Sequence, residues 1–218
     1  MSEIPVTFSC GDISLEGIWH RREGEGPFAA VVVCHPHPLY GGDMFNNVVL
    51  ALCNSLTQDN ILAFRFNFRG VGRSQGNFDK GIGEQEDVKA ALSFVSSQPE
   101  VDPGKIGLAG YSFGATVALL VALAQDTVRA LALISPPLAS SQWEALSRYQ
   151  NPTLLLCGSG DQFVSAADMA RYASQLPPPS RWEVISGADH FWWGYEPELA
   201  RRVSLFFAAA LKSVKAEP

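Results

Sequence analysis

Ser112 sits at the centre of Gly110-Tyr111-Ser112-Phe113-Gly114, between an apolar run, Lys105 to Ala109, and a helical stretch, Ala115 to Ala124. A serine on a sharp strand-to-helix turn exposes its hydroxyl as a nucleophile, and small neighbours let the two elements approach closely. The chemistry implied is attack on an electrophilic carbon with a covalent intermediate. A hydroxyl becomes nucleophilic only when a base takes its proton, so a histidine and an orienting acid are required elsewhere in the chain. For a serine on this type of turn they follow in the order acid, then histidine.

His190 is the one histidine of four that follows Ser112. It lies in Ser186-Gly187-Ala188-Asp189-His190-Phe191, a small-residue loop just past the strand-like run Arg181 to Ile185, where a general base must sit. Asp161, in Gly158-Ser159-Gly160-Asp161, directly follows the strand-like run Thr153 to Cys157. It is the expected orienter of the imidazole. Asp189 adjoins His190, and neighbouring side chains of an extended loop point apart; Asp168 falls inside a helical pattern and reads as an exposed face.

A second match to the serine pattern, Gly72-Arg73-Ser74-Gln75-Gly76, follows the strand-like run Ile61 to Phe68. The segment after it, Asn77 to Gly83, has no helical period, so Ser74 reads as part of a loop. The oxyanion formed by attack needs backbone N–H groups from the residue after the nucleophile and from the loop after the third strand. Phe113 supplies the first. The second comes from His35-Pro36-His37-Pro38-Leu39-Tyr40-Gly41-Gly42, where the prolines have no N–H and His37, Leu39 or Tyr40 remain, His37 being favoured by position. Leu39, Tyr40, Tyr111, Phe191 and Trp192 are the candidate pocket residues, with core packing the alternative for the aromatics after His190. His35 and His37 lack a nearby cluster of further ligands, so no metal is expected, and no cofactor.

The elements that must position these residues alternate. Val6 to Cys10 and Ile13 to His20 read as a hairpin around Gly11-Asp12. The continuous apolar run Ala29 to Cys34 marks a strand buried on both faces. Helical spacing then covers Asn46 to Gln58 and Glu84 to Ser97, followed by strands at Lys105 to Gly110 and Val128 to Ser135. A short helical stretch, Trp143 to Tyr149, leads to the strand Thr153 to Cys157. Ser165 to Leu176 reads as a helix, Arg181 to Ile185 as a strand, and Pro197 to Lys212 as a closing helix. A hairpin feeding β-α units predicts an α/β fold, a mostly parallel sheet of about eight strands flanked by helices. The connection from Ser135 to Pro152 has no room for a lid, so an open site is expected.

Composition narrows the rest. At 218 residues, 47% hydrophobic and 17% charged, the chain has enough apolar content for the core of one domain spanning 1–218. A net charge of −6 with no Lys/Arg cluster argues against nucleic acid. The start lacks a basic-then-apolar signal and no apolar run reaches membrane-spanning length, giving the expectation of a soluble, cytoplasmic protein without membrane association, monomer or homodimer. Cys10, Cys34, Cys53 and Cys157 show no metal spacing and read as reduced thiols, two of them at the ends of apolar strands.

The segments His35 to Gly42, Phe64 to Ser74 and Gly110 to Gly114, with Gly160-Asp161 and Asp189-His190, resemble the small, lidless α/β-hydrolases related to dienelactone hydrolase. The similarity runs over nearly the whole chain. It implies an α/β-hydrolase fold and a carboxylesterase acting on small, short-acyl esters. Dienelactone hydrolases proper carry a cysteine where this chain has Ser112, so lactone specificity is not carried over. The alternatives are a peptidase or thioesterase on the same residues, or a non-catalytic binding protein on a hydrolase fold.

Overall fold

Among the described residues the alternation of runs becomes eight strands in one sheet and six helices. A computed structural model describes residues 2–21 and 24–211. In chain order the elements are β1 (Ser2–Cys10), β2 (Ile13–Arg21), β3 (Phe28–Cys34), α1 (Asn47–Gln58), β4 (Leu62–Phe66), α2 (Gly83–Ser96), β5 (Val101–Tyr111) and α3 (Phe113–Ala124). Then follow β6 (Ala130–Ile134), α4 (Ser140–Leu146), β7 (Thr153–Gly158), α5 (Ala166–Ala173), β8 (Arg181–Ile185) and α6 (Glu196–Ala210), with one 3₁₀ turn at Pro38–Tyr40. The strand order is β1-β2-β4-β3-β5-β6-β7-β8. The hairpin β1–β2 and the β2–β4 pair are antiparallel, and β4, β3, β5, β6, β7 and β8 run parallel.

The central strands β3 and β6 are apolar throughout because they face helices on both sides. Val32 and Leu108 pack with α2 and α3, on the face that also carries α4 and α5. Their neighbours Val31 and Ala109 pack with α1 and α6 on the other. The strand order reverses at β3: the chain passes outward through α1 to β4, then returns through α2 to β5. The ends of β3 and β5 therefore splay at a topological switch point, where α/β sheets bind their ligands.

Several boundaries differ from the sequence reading, each for a local reason. β1 begins at Ser2 rather than Val6, because Ser2 to Pro5 find partners on Arg21 to Ile18, and an edge strand tolerates Pro5. β4 stops at Phe66, and the Phe68 N–H is spent on the Nε2 of His35 instead of the ladder. α4 starts about one turn early, at Ser140, where the Gln142 side chain accepts from the Ala139 N–H. α5 ends at Ala173, ahead of the proline run that begins at Pro177. Lys212, placed in the closing helix, lies outside the described residues. Between β6 and β7 stands only the short helix α4, so the C-terminal edge of the sheet carries no lid.

Candidate active site

Ser112 occupies the turn between β5 and α3 with φ +54° and ψ −119°, a conformation that costs a non-glycine residue energy. It stands at the helix N-cap, where a serine oxygen normally accepts from a backbone N–H. Here the side chain makes no cap bond, so the Oγ is left for another partner. Both flanking glycines are required by space. A Cβ on Gly110 would strike the backbone of Gly114, and one on Gly114 would strike the carbonyls of Cys34 and His35.

The Oγ of Ser112 lies 3.0 Å from Nε2 of His190. The Nδ1 of the same ring lies 2.9 Å from both carboxylate oxygens of Asp161. With Nδ1–H donating a hydrogen bond to the Asp161 carboxylate, Nε2 is free to accept the hydroxyl proton. The Asp161 side chain is fully buried and that of His190 nearly so. Burial opposes ionisation of Asp161, yet hydrogen bonds from the His190 ring, the Ser135 hydroxyl and the N–H groups of Phe163 and Val164 outweigh it. Its carboxyl is held below the ordinary carboxylate range.

Asp189 does not touch this line. Its carboxylate accepts from the N–H groups of Phe191 and Trp192, which bends the chain sharply after His190. Asp168 lies on α5, exposed and paired with Arg171.

The N–H groups of the three candidates in the loop after β3 differ in whether they already have an acceptor. The Leu39 N–H donates to the Nδ1 of His37, and the Tyr40 N–H to the carbonyl of His37. Among the described residues the N–H groups of His37 and Phe113 have no acceptor. These two N–H groups are unspent. The His37 and Phe113 rings pack at 4.9 Å between centroids, so the two residues are neighbours.

Two pocket candidates are corrected. Trp192 is fully buried among α1, α6 and the sheet, and its Nε1–H donates to the Oγ of Ser135 at 3.1 Å. Tyr111 is buried too, its hydroxyl donating to the carbonyl of His190 at 2.6 Å. Neither faces a substrate. The sharp turn at Asp189 throws Trp192 inward, and strand alternation turns Tyr111 to the α1–α6 face. Leu39, Tyr40 and Phe191 are exposed; Tyr40 packs on the ring of His37, at the outer rim.

Sequence reasoning missed two residues. Phe163, two places after Asp161, is exposed and sets its ring 4.8 Å from the imidazole of His190; its place in the acid loop was the available signal. Ser135, directly after β6, accepts from the Trp192 indole and helps hold the Asp161 carboxyl ionised, and nothing in its neighbours in sequence marks it.

The remaining candidates are structural. Ser74 is buried, donating to the carbonyl of Asn67 and accepting from the N–H of Glu16. His35 uses both ring nitrogens, donating from Nδ1 to the Pro36 carbonyl and accepting from Phe68 at Nε2. Among the described residues no group of three or more ligating side chains could hold a metal, and no helix is long and apolar enough to cross a membrane. The four cysteines are free and buried. Burial pushes the thiols of Cys53 and Cys157 up to about 12, far from a reactive thiolate.

The profile of the Dienelactone hydrolase family matches residues 77–200. An α/β serine hydrolase homologue from Coxiella burnetii is 36% identical, with a TM-score of 0.85 over 94% of this chain and 97% of its own. An α/β serine hydrolase without a lid from Xanthomonas campestris is 30% identical, with a TM-score of 0.83 over 100% and 98% of the two chains. An uncharacterised protein of Rickettsia prowazekii is 34% identical over 208 residues, 91% of this chain and 86% of that relative.

Proposed function

This chain belongs to the dienelactone hydrolase family, and from that premise we propose that it is a carboxylesterase working through an acyl-serine intermediate. The hydrogen bond from Ser112 to His190, backed by Asp161, carries the reading. Ser112 Oγ attacks the acyl carbon while its proton passes to Nε2 of His190. Asp161 keeps the ring in the accepting tautomer and stabilises the imidazolium. The N–H groups of Phe113 and His37 hold the oxyanion. Collapse of the tetrahedral intermediate breaks the bond to the alcohol oxygen, which takes the proton from His190. Water then repeats the sequence on the acyl-serine, releasing the acid and restoring the Ser112 hydroxyl.

A serine nucleophile and an uncovered site favour short acyl groups on oxygen esters. The decisive test is Ser112→Ala assayed on a short p-nitrophenyl ester and probed with a fluorophosphonate. Turnover should fall by roughly 10⁴- to 10⁶-fold and labelling should vanish, with the fold retained. Wild-type turnover in this variant would overturn the reading. Comparing kcat/KM for short oxygen esters, acyl thioesters and peptides checks the bond cleaved; the oxygen esters should rank first.

A further inference from the structure

The run His35-Pro36-His37-Pro38 after β3 contains a histidine that the proposed reaction does not use. His35 is fully buried, and both of its ring nitrogens are engaged. The Phe68 nitrogen lies 3.1 Å from Nε2, and the Pro36 carbonyl oxygen 2.6 Å from Nδ1. Phe68 is itself buried, and its N–H has no other acceptor among the described residues. A backbone N–H can only donate, so Nε2 is the bare nitrogen and Nδ1 carries the proton. The chain just beyond β4 thus sets the tautomer, and the tautomer aims a proton at Pro36.

The Pro36 carbonyl belongs to the same peptide group as the His37 N–H. That peptide is trans, so its C=O and N–H point to opposite sides. Holding the carbonyl toward His35 therefore turns the His37 N–H away from it. The His35 ring is the sole donor to this carbonyl among the described residues. The rest of the loop is stiffer. The ring of Pro36 fixes its own φ, and Pro38 biases His37 to extended backbone, where it stands at φ −58° and ψ 121°. The next carbonyl, that of His37, accepts from the N–H groups of Tyr40 and Gly42. The freedom left is rotation of the Pro36–His37 plane, and the His35 bond opposes it.

This plane lies beside the turn that carries Ser112. A Cβ on Gly114 would strike the His35 carbonyl, and the His37 and Phe113 rings stand 4.9 Å apart. A flipped plane would offer the negative end of a carbonyl in place of an N–H. We propose that His35 is a positioning residue: its Nδ1–H holds the Pro36 carbonyl and so keeps the His37 N–H facing the oxyanion that forms when Ser112 attacks. This inference rests on the carboxylesterase reading. His35 touches no reacting atom, and its effect is felt only when charge develops on the substrate oxygen, in kcat rather than KM.

Two amide variants separate the two bonds of the ring. The amide nitrogen of Asn stands two bonds from Cβ, as Nδ1 does; the amide oxygen of Gln stands three bonds away, as Nε2 does. His35→Asn keeps a donor for Pro36 and abandons Phe68, whereas His35→Gln keeps the acceptor for Phe68 and places no donor at the Nδ1 position. On a short p-nitrophenyl ester, His35→Gln should lose about 10²-fold in kcat with KM changed by less than about threefold, the size of a lost oxyanion donor. His35→Asn should recover about tenfold or more of that loss. A trifluoromethyl ketone, which gives Ser112 a hemiketal oxyanion, should bind His35→Gln more weakly by a factor close to the loss in kcat. Equal kcat in the two variants, or a loss carried by KM, overturns the assignment. Nitrogen-15 spectra of the wild-type ring decide if both variants fail to fold: a protonated Nδ1 and a bare Nε2 near neutral pH support the assignment, and the reverse tautomer overturns it. Ser112→Ala separates the two levels. If it is inactive while the His35 variants match the wild type, only the positioning role fails; if it retains hydrolysis, the carboxylesterase reading fails as well.

Discussion

Tyr111 precedes the proposed nucleophile by one residue and holds the main-chain carbonyl of the proposed base at 2.6 Å. One buried hydroxyl thus ties the loop after β8 to the end of β5 and sets how far His190 stands from Ser112. Removing it leaves a buried carbonyl without a donor, at a cost of about 1–3 kcal/mol. Tyr111→Phe is expected to lower the urea midpoint accordingly and to cut kcat by about tenfold with little change in KM. Unchanged kcat would mean that the loop holds its place without the tether. Trp192 is tied down in a parallel way, its indole donating to the Ser135 hydroxyl. Both aromatics read in sequence as pocket walls, because nothing in an aromatic side chain tells whether it will face a substrate or the core.

The strand-turn-helix unit of β5, Ser112 and α3 is the most constrained element. Ser112 is held at φ +54°, where a Cβ is strained and glycine is not. Replacing the side chain tests that strain apart from chemistry. Ser112→Gly should be more stable than Ser112→Ala by about 1 kcal/mol or more, visible as a higher Tm although both variants are inactive. Equal Tm values would show that the turn stores no strain at this position. This unit was legible in the sequence because its determinants are local: two glycines, an apolar strand behind and an apolar helix ahead. The rival turn at Ser74 has the same five-residue pattern. Its serine ends buried under the hairpin, bonded to Asn67 and Glu16, since no helix follows to raise it to the surface.

At the scale of the molecule, two buried histidines outside the reacting line make stability depend on pH. Burial pushes His35 down to about 4, and burial with the Arg65 guanidinium does the same to His20. Both must fold neutral, whereas the unfolded chain protonates them near 6.5. The unfolded state therefore binds more protons as pH falls from about 6.5 to about 4, and folding stability drops across that window. By linkage the loss between pH 7.5 and 5 is roughly 2 kcal/mol per histidine at most. Urea midpoints measured at the two pH values should differ, and a level midpoint would refute the assignment.

The sequence by itself determined the alternation of strands and helices, the turn at Ser112 and the chain order of Asp161 and His190, because periodicity, glycine placement and loop position are properties of neighbouring residues. Only the tertiary structure decided which of the N–H groups at His37, Leu39 and Tyr40 stays unspent, and that Trp192 turns inward while Phe163 stays on the surface. Those outcomes depend on hydrogen bonds and packing between segments far apart in the chain. No local pattern encodes them.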